Sequence, residues 1–305
     1  MLNDIRDGAF GKLYNLIKKD RDILLISIDQ GAQLMNKIER DFPKNFLKFS
    51  ISEQNAINFA AGLTKQGFKP YVYLISPFIA RAYEQIKINI SSMKLNINII
   101  GSGSGYAYAS DGVTHYFLED YGIFKNLPNI SMYATHDFLS AELAIENSYK
   151  AKHGGIIKLE KGQFNNLTKN HSKNITEIKK GNKLLLVSYG YLSQKIYNKI
   201  SSDKIFNKNE IGIATINTLI PMDNNKIKQI FKKYKKILFV EETNINSSVF
   251  QSLNDINFMN LKAKNNLQGL FTKKEFVTFA GTRDDLLKKN NLDIKKIINK
   301  TKSML

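Results

Sequence analysis

Cysteine is missing from this sequence altogether, which excludes disulfides, thiolate nucleophiles and thiolate metal sites. Histidine is scarce. It stands at four positions (His115, His136, His153 and His171) with no HxxxH pair, so no protein-bound metal, and zinc least of all, is expected. Arginine is scarcer than the net charge of +18 suggests, because five of the 45 basic residues are arginine and the rest lysine. Arginine is the usual bidentate reader of phosphates and bases. The charge therefore reads as lysine decorating solvated helix faces, with no nucleic acid or membrane partner expected, although it suits attraction of anionic substrates. No apolar run approaches the roughly 20 residues of a membrane span. Asp4, Arg6 and Asp7 stand where a secretory leader would turn apolar, so a cytoplasmic location is expected. What remains is a chain of 305 residues, 43% hydrophobic and 24% charged, long enough for two ordinary globular domains.

Apolar spacing organises the chain. Helical periodicity over 7–20 is followed by a short buried-strand run at 23–28, then a strand at 47–51 and a helix over 53–67, closed by Gly67. Strands at 70–75, 97–100, 130–134 and 155–159 alternate with helices at 79–92 and 138–151, the latter with Asp137 at its N-cap. Residues 162–181 are polar, rich in Asn and Lys and without clear period, and read as a linker. Beyond it the alternation resumes, with strands at 183–188, 211–216 and 236–241, helices at 192–201 and 224–233, and a final helix from residue 294. Such alternation predicts an α/β chain of two domains, each a mostly parallel sheet with helices on both faces. Gly101-Ser102-Gly103 after a strand is no dinucleotide fingerprint, because position 106 is Tyr where a third glycine is needed.

The segment Ile51-Ser52-Glu53-Gln54-Asn55-Ala56, running on to Ala60-Ala61-Gly62-Leu63, carries the most chemical information. On spacing alone, Ser50-x-x-Glu53 is a capping box at a helix start. The wider pattern resembles the thiamine diphosphate-dependent transketolase family, which includes deoxyxylulose-phosphate synthases. The resemblance continues in Ser76-Pro77-Phe78 through Arg81 to Ile86, in Ser110-Asp111-Gly112-Val113-Thr114-His115, and in Leu118-Glu119-Asp120 with Leu127-Pro128-Asn129. It recurs in Phe279-Ala280-Gly281, and so spreads over nearly the whole chain.

That resemblance implies a pyrimidine-binding domain over 1–163, a linker over 164–180 and the family's C-terminal domain over 181–305. It also implies a role for each matching residue. Glu53 would hydrogen-bond the cofactor's pyrimidine and turn its 4′-amino group into the base that generates the thiazolium carbanion. Phe78 would stack on that ring, although a lone Phe is also a plain core residue. Ile75 stands where relatives carry a second aromatic. Asp111 and His115 would handle the substrate's hydroxyls and a proton transfer. Asp29 and Arg81 are further substrate candidates, with a turn and a helix-surface ion pair as their plainer readings. Lys158 and Lys161 replace family arginines and lose the bidentate fork, and Gly103 replaces a sugar-phosphate histidine. The acceptor is accordingly expected to differ from an ordinary pentose phosphate, or to have its phosphate held more loosely.

The family's GDG motif for diphosphate and metal is absent from the sequence. A partner, an N-terminal transketolase subunit, is therefore expected to bind the diphosphate with Mg2+ or Ca2+. Self-association through the pyrimidine domain would complete a heterotetramer that transfers a two-carbon ketol unit between sugars or sugar phosphates. Deoxyxylulose-phosphate synthase-like chemistry, a 2-oxoacid dehydrogenase beta subunit and a non-catalytic paralogue remain the alternatives.

Overall fold

In the computed structural model, which describes residues 3–202, 206, 209–261 and 265–305, the chain forms two compact α/β units. The first comprises Met1–Ser104 with Ile123–Asn166, the second Gly105–Gly122 with Leu167–Leu305. Among the described residues no helix is long and apolar enough to cross a membrane.

Six parallel strands build the first unit's sheet, in the order Ser131–Ala134, Gly155–Leu159, Asn98–Ser102, Lys69–Ile75, Ile23–Ile28, Phe46–Phe49. The strand Ile23–Ile28 is buried at every position, as a strand covered on both faces must be. One face is covered by helices Ile5–Lys19, Gln33–Asp41 and Phe138–Lys150, whose Phe10, Leu13, Met35, Ala141 and Ile145 join the strands in a single core. The chain's turn chemistry is visible at two helix ends. Asp137 and Ser140 form the capping box of Phe138–Lys150. Gly67, with φ +94°, closes Glu53–Lys65 in a Schellman motif, where Phe68 donates to Leu63 and Gly67 to Thr64.

Two expectations needed correction. Residues 79–92 do not form one α-helix. Ser76–Ala82 is a 3-10 segment, Tyr83–Gln85 a single α-turn and Ile86–Ser92 a π-helix. Over seven residues the apolar spacing cannot tell these windings apart, and Pro77 starts the segment without an N–H of its own. The stretch expected as featureless linker contains the strand Ile175–Lys179. It forms the antiparallel edge of the second unit's sheet, whose order is Asn266–Thr272, Lys236–Asn244, Leu184–Ser188, Ile211–Ile216, Ile175–Lys179, with the other pairs parallel. Its short sequence, three of five residues polar and set in an Asn- and Lys-rich stretch, hides the strand from a hydrophobicity reading. The expected mostly parallel, helix-covered α/β architecture holds in both units.

Candidate functional site

A parallel sheet presents the carboxyl ends of all its strands at one edge, and the loops there are where open α/β sheets bind ligands. The first unit's candidates gather at that edge. Asp29 follows Ile23–Ile28, Glu53 begins the helix after Phe46–Phe49, and Ile75 and Phe78 lie at the end of Lys69–Ile75 and just beyond. Lys158 is the penultimate residue of Gly155–Leu159, with Lys161 just past its end. The connection through Phe46–Phe49 changes direction there, so the helices Gln33–Asp41 and Glu53–Lys65 leave for opposite faces.

Glu53 is 5% exposed, an unusual burial for a carboxylate. It does not cap its helix. Ser52 is the N-cap without a side-chain bond to the helix, and its hydroxyl donates instead to the Ser50 carbonyl. The Glu53 carboxylate accepts from Arg81, Nη1 to Oε1, at 3.2 Å. Arg81 reaches it because of the local winding. In a 3-10 helix residues i and i+3 eclipse, so the Arg81 guanidinium lies 4.2 Å from the centre of the Phe78 ring. Phe78 and Ile75 are both half-buried, and the exposed Arg81 forms the outer layer over the Phe78 ring. The 3-10 turn is seated closely on the sheet. A Cβ at Gly101 would stand 2.8 Å from Ser76 Oγ and 2.7 Å from Ile79 Cδ1, so only glycine permits this approach. Asp29 is exposed with φ +47°, a conformation Asp tolerates at a turn. Lys158 is buried and Lys161 exposed, and the Gly103 amide donates to the Leu159 carbonyl at 2.8 Å.

Asp111 and His115 belong to the second unit. Two short 3-10 turns, Ala109–Asp111 and Val113–His115, carry them, and Gly112 joins the turns at φ +77°, ψ −164°. That conformation is open essentially to glycine alone, which explains the glycine of the Asp-Gly-x-Thr-His pattern. Thr114 ties the turn together, its hydroxyl donating to the Asp111 carbonyl at 3.4 Å and meeting His115 Nδ1 at 2.8 Å. Asp111 is exposed and His115 half-buried.

Nothing in the motif says what holds this segment in place. The end of strand Lys236–Asn244 does. Glu242 accepts from the Tyr106 amide at 2.8 Å, and Arg283 grips the same carboxylate with two nitrogens, Nε at 3.0 Å and Nη2 at 2.7 Å. The two side chains are only 9% and 10% exposed, and the Arg283 guanidinium stacks on Tyr191 at 4.2 Å. The Thr243 hydroxyl donates to the Leu118 carbonyl, Tyr121 meets Ser252 at 2.9 Å, and Asn290 donates to the Tyr106 hydroxyl at 3.0 Å. Glu242, Thr243 and Asn290 escaped the sequence reading. The one available signal was Arg283, a rare arginine placed just after Phe279-Ala280-Gly281.

Comparison with known proteins gives a family and a fold. The model of the transketolase pyrimidine-binding domain matches residues 4–161. A 1-deoxy-D-xylulose-5-phosphate synthase of Francisella philomiragia subsp. philomiragia is 26% identical over 295 residues, covering 94% of this chain and 46% of its own length. One of the same name from Lawsonia intracellularis is 27% identical over 243 residues, 77% of this chain and 38% of its own. The chain thus spans less than half the length of these curated relatives. Among solved structures, a split-gene transketolase in an inactive β4 tetramer superposes with a TM-score of 0.84 at 18% identity, over 99% of this chain and 98% of that one. A transketolase from Campylobacter jejuni subsp. jejuni NCTC 11168 gives 0.76 at 18% identity, over 99% of this chain and 47% of its own.

Proposed function

Because the chain belongs to the transketolase family through a pyrimidine-binding domain at residues 4–161, we propose that it is the cofactor-activating subunit of a two-chain, thiamine diphosphate-dependent transferase that moves a two-carbon ketol unit between sugars. The observation that carries this reading is Glu53, a buried carboxylate that is not spent on capping its own helix and stands at the ligand-binding edge of the sheet. The residues present fit the aminopyrimidine half of the cofactor. A carboxyl on the first turn of a helix, rigidly placed, is bonded by Arg81 of a segment that carries a half-buried aromatic ring, Phe78, and follows a half-buried aliphatic side chain, Ile75.

Thiamine diphosphate supplies a stabilised carbanion once its pyrimidine is activated. Glu53 would hydrogen-bond the pyrimidine nitrogen, and Arg81 holds its Oε1 so that the carboxyl keeps one orientation. Phe78 would stack on the ring, with Ile75 completing an apolar wall that excludes water. Asp29, Asp111, His115, Lys158 and Lys161 would orient the sugar, His115 also moving a proton to or from it. Diphosphate and Mg2+ or Ca2+ would be held by a second polypeptide. The split-gene transketolase supports that arrangement, since its whole chain matches this one in fold, and its β4 tetramer supports self-association.

The test is Glu53→Gln, assayed with the partner chain and a ketose donor. Turnover should fall by at least ~100-fold, the scale of a positioned proton-transfer group, with the circular dichroism spectrum unchanged. Equal turnover of the two proteins sinks the catalytic assignment. One observation favours a second reading: the relatives just described are deoxyxylulose-phosphate synthases by name. Release of carbon dioxide from pyruvate in the presence of an aldose phosphate, without ketol transfer from a ketose, would select it.

A further inference from the structure

In the first unit, the outer face of helix Glu53–Lys65 has a composition that none of the roles above explains. The helix carries charge only at its two ends, in a chain with net charge +18. Between those ends its exposed residues are Gln54, Asn55, Asn58, Phe59 and Gly62, which helical spacing gathers on one side. Phe59 is 44% exposed, and its ring lies 5.2 Å from that of Phe49. Ile51, between Phe49 and the helix, is 65% exposed. Asn89 Nδ2 donates to Asn58 Oδ1 at 2.9 Å, which holds the Ile86–Ser92 segment beside the helix, with Ile88 46% exposed. Single apolar residues in water are ordinary, but several grouped around an uncharged helix face mark an interaction surface.

Gly62 points the same way. Glycine is the poorest helix former after proline, yet this one lies inside the helix. A Cβ there would meet nothing within 4 Å, so no contact within the chain requires the residue to be glycine. Bare backbone on an exposed face lets another backbone come close.

Charge selects the occupant. Two copies of a chain with net charge +18 repel each other, and they can meet where that charge is missing. A two-fold contact sets one patch against the same patch, so the patch must complement itself. Side-chain amides both donate and accept and can pair with their own kind, whereas lysines facing lysines cannot. Lys65 and Lys87, both exposed, border the face, as suits the polar rim of an interface.

We propose that two copies of this chain pair through this face, with helix Glu53–Lys65 of each at the centre of the contact. The inference rests on the self-association in the reading above and adds the surface that carries it.

Sedimentation velocity on the full chain should show dimers or larger assemblies, with Kd on the order of 1 µM or tighter, the weak end of what a standard-sized interface gives. Gly62→Leu fills the face without meeting any atom of its own chain and should weaken association at least ~10-fold. Asn58→Lys sets like charges against each other and should weaken it at least ~100-fold. Asn36→Lys adds the same charge on the exposed side of helix Gln33–Asp41 and should change it by less than about 3-fold. Thermal melting at high dilution checks that each variant folds, and Gly62→Leu decides the matter if Asn58→Lys does not. Glu53→Gln should leave the dimer intact, so failure of the catalytic assignment and failure of this one are seen separately. A wild-type chain that stays monomeric at about 100 µM overturns the proposal. So does a folded Gly62→Leu that associates like the wild type, or an Asn36→Lys that weakens association as much as Asn58→Lys. Self-association unchanged in Gly62→Leu, with turnover beside the partner chain lost, would give the face to that chain instead and overturn the proposal as well.

Discussion

Glu242→Ala is the most informative single substitution in the second unit. The variant deletes a carboxylate that accepts from two Arg283 nitrogens and from the Tyr106 amide. With both ionic partners about nine-tenths buried, solvent can do little to replace those bonds. Removing one partner of a buried pair costs about 3–5 kcal/mol, largely because the other charge stays buried without it. The three donor nitrogens left without their charged acceptor, at about 1.5–3 kcal/mol each before relaxation, set an upper bound that the entry of water then reduces to the same range. Arg283→Lys keeps the charge but loses the second limb and the flat stacking on Tyr191, and should cost about 1–2 kcal/mol. Urea unfolding followed by circular dichroism measures both. Hydrogen exchange adds the local readout, because protection in 105–122 should fall in Glu242→Ala while the strand Ile211–Ile216 stays protected. In a double-mutant cycle, Glu242→Ala with Arg283→Met should cost well under the sum of the single changes. A Glu242→Ala cost below about 1 kcal/mol, with exchange in 105–122 unchanged, would refute the assignment of this pair as what holds the segment.

Two further predictions concern stability and need no partner chain. Lys12 and Lys150 both bond Glu146 and hold its pKa down to about 2 from an ordinary 4.5. A depressed carboxyl contributes stability that is present above pH 4.5 and lost as pH falls toward 2. Glu146→Gln should therefore flatten the acid limb of the unfolding curve there, by under about 1 kcal/mol because the groups are part-exposed and screened; an unchanged slope counts against the pair. Glycine substitutions should separate by what surrounds them. A Cβ at Gly154 would stand 2.1 Å from the Ile97 carbonyl oxygen, whereas one at Gly62, inside a helix, meets nothing within 4 Å. Gly154→Ala should destabilise by about 3 kcal/mol, and Gly62→Ala should stabilise by up to about 1 kcal/mol. Equal melting temperatures would contradict the close packing.

On substrate, the family resemblance implies that Gly103 replaces a histidine and Lys158 and Lys161 replace arginines. Rates with ribose 5-phosphate should accordingly not exceed those with unphosphorylated or nucleotide-linked sugars in the assembled enzyme. A strong preference for ribose 5-phosphate would mean that the lysines replace the arginines without loss.

Local information in the sequence sufficed for much of this protein. The alternation of short apolar runs with helical periodicity determined the parallel α/β architecture, since buried strands and amphipathic helices carry their burial in their own spacing. Asp137 and Gly67 marked helix ends because capping is a contact between near neighbours. Glu53, Phe78, Asp111 and His115 were legible as a family pattern without their neighbours being known. Contacts between distant residues were decided only by the tertiary structure. No spacing rule joins Arg81 to a carboxylate 28 residues away, and the 3-10 winding that aims it is indistinguishable from α over so few residues. Nor does one join Tyr106 to Glu242 across 136 residues or to Asn290 across 184. The segment carrying Asp111 and His115 lies between two stretches of the first unit in sequence, yet its hydrogen bonds go to the second. Buried polar groups must find partners wherever the fold supplies them, and sequence separation does not enter that requirement.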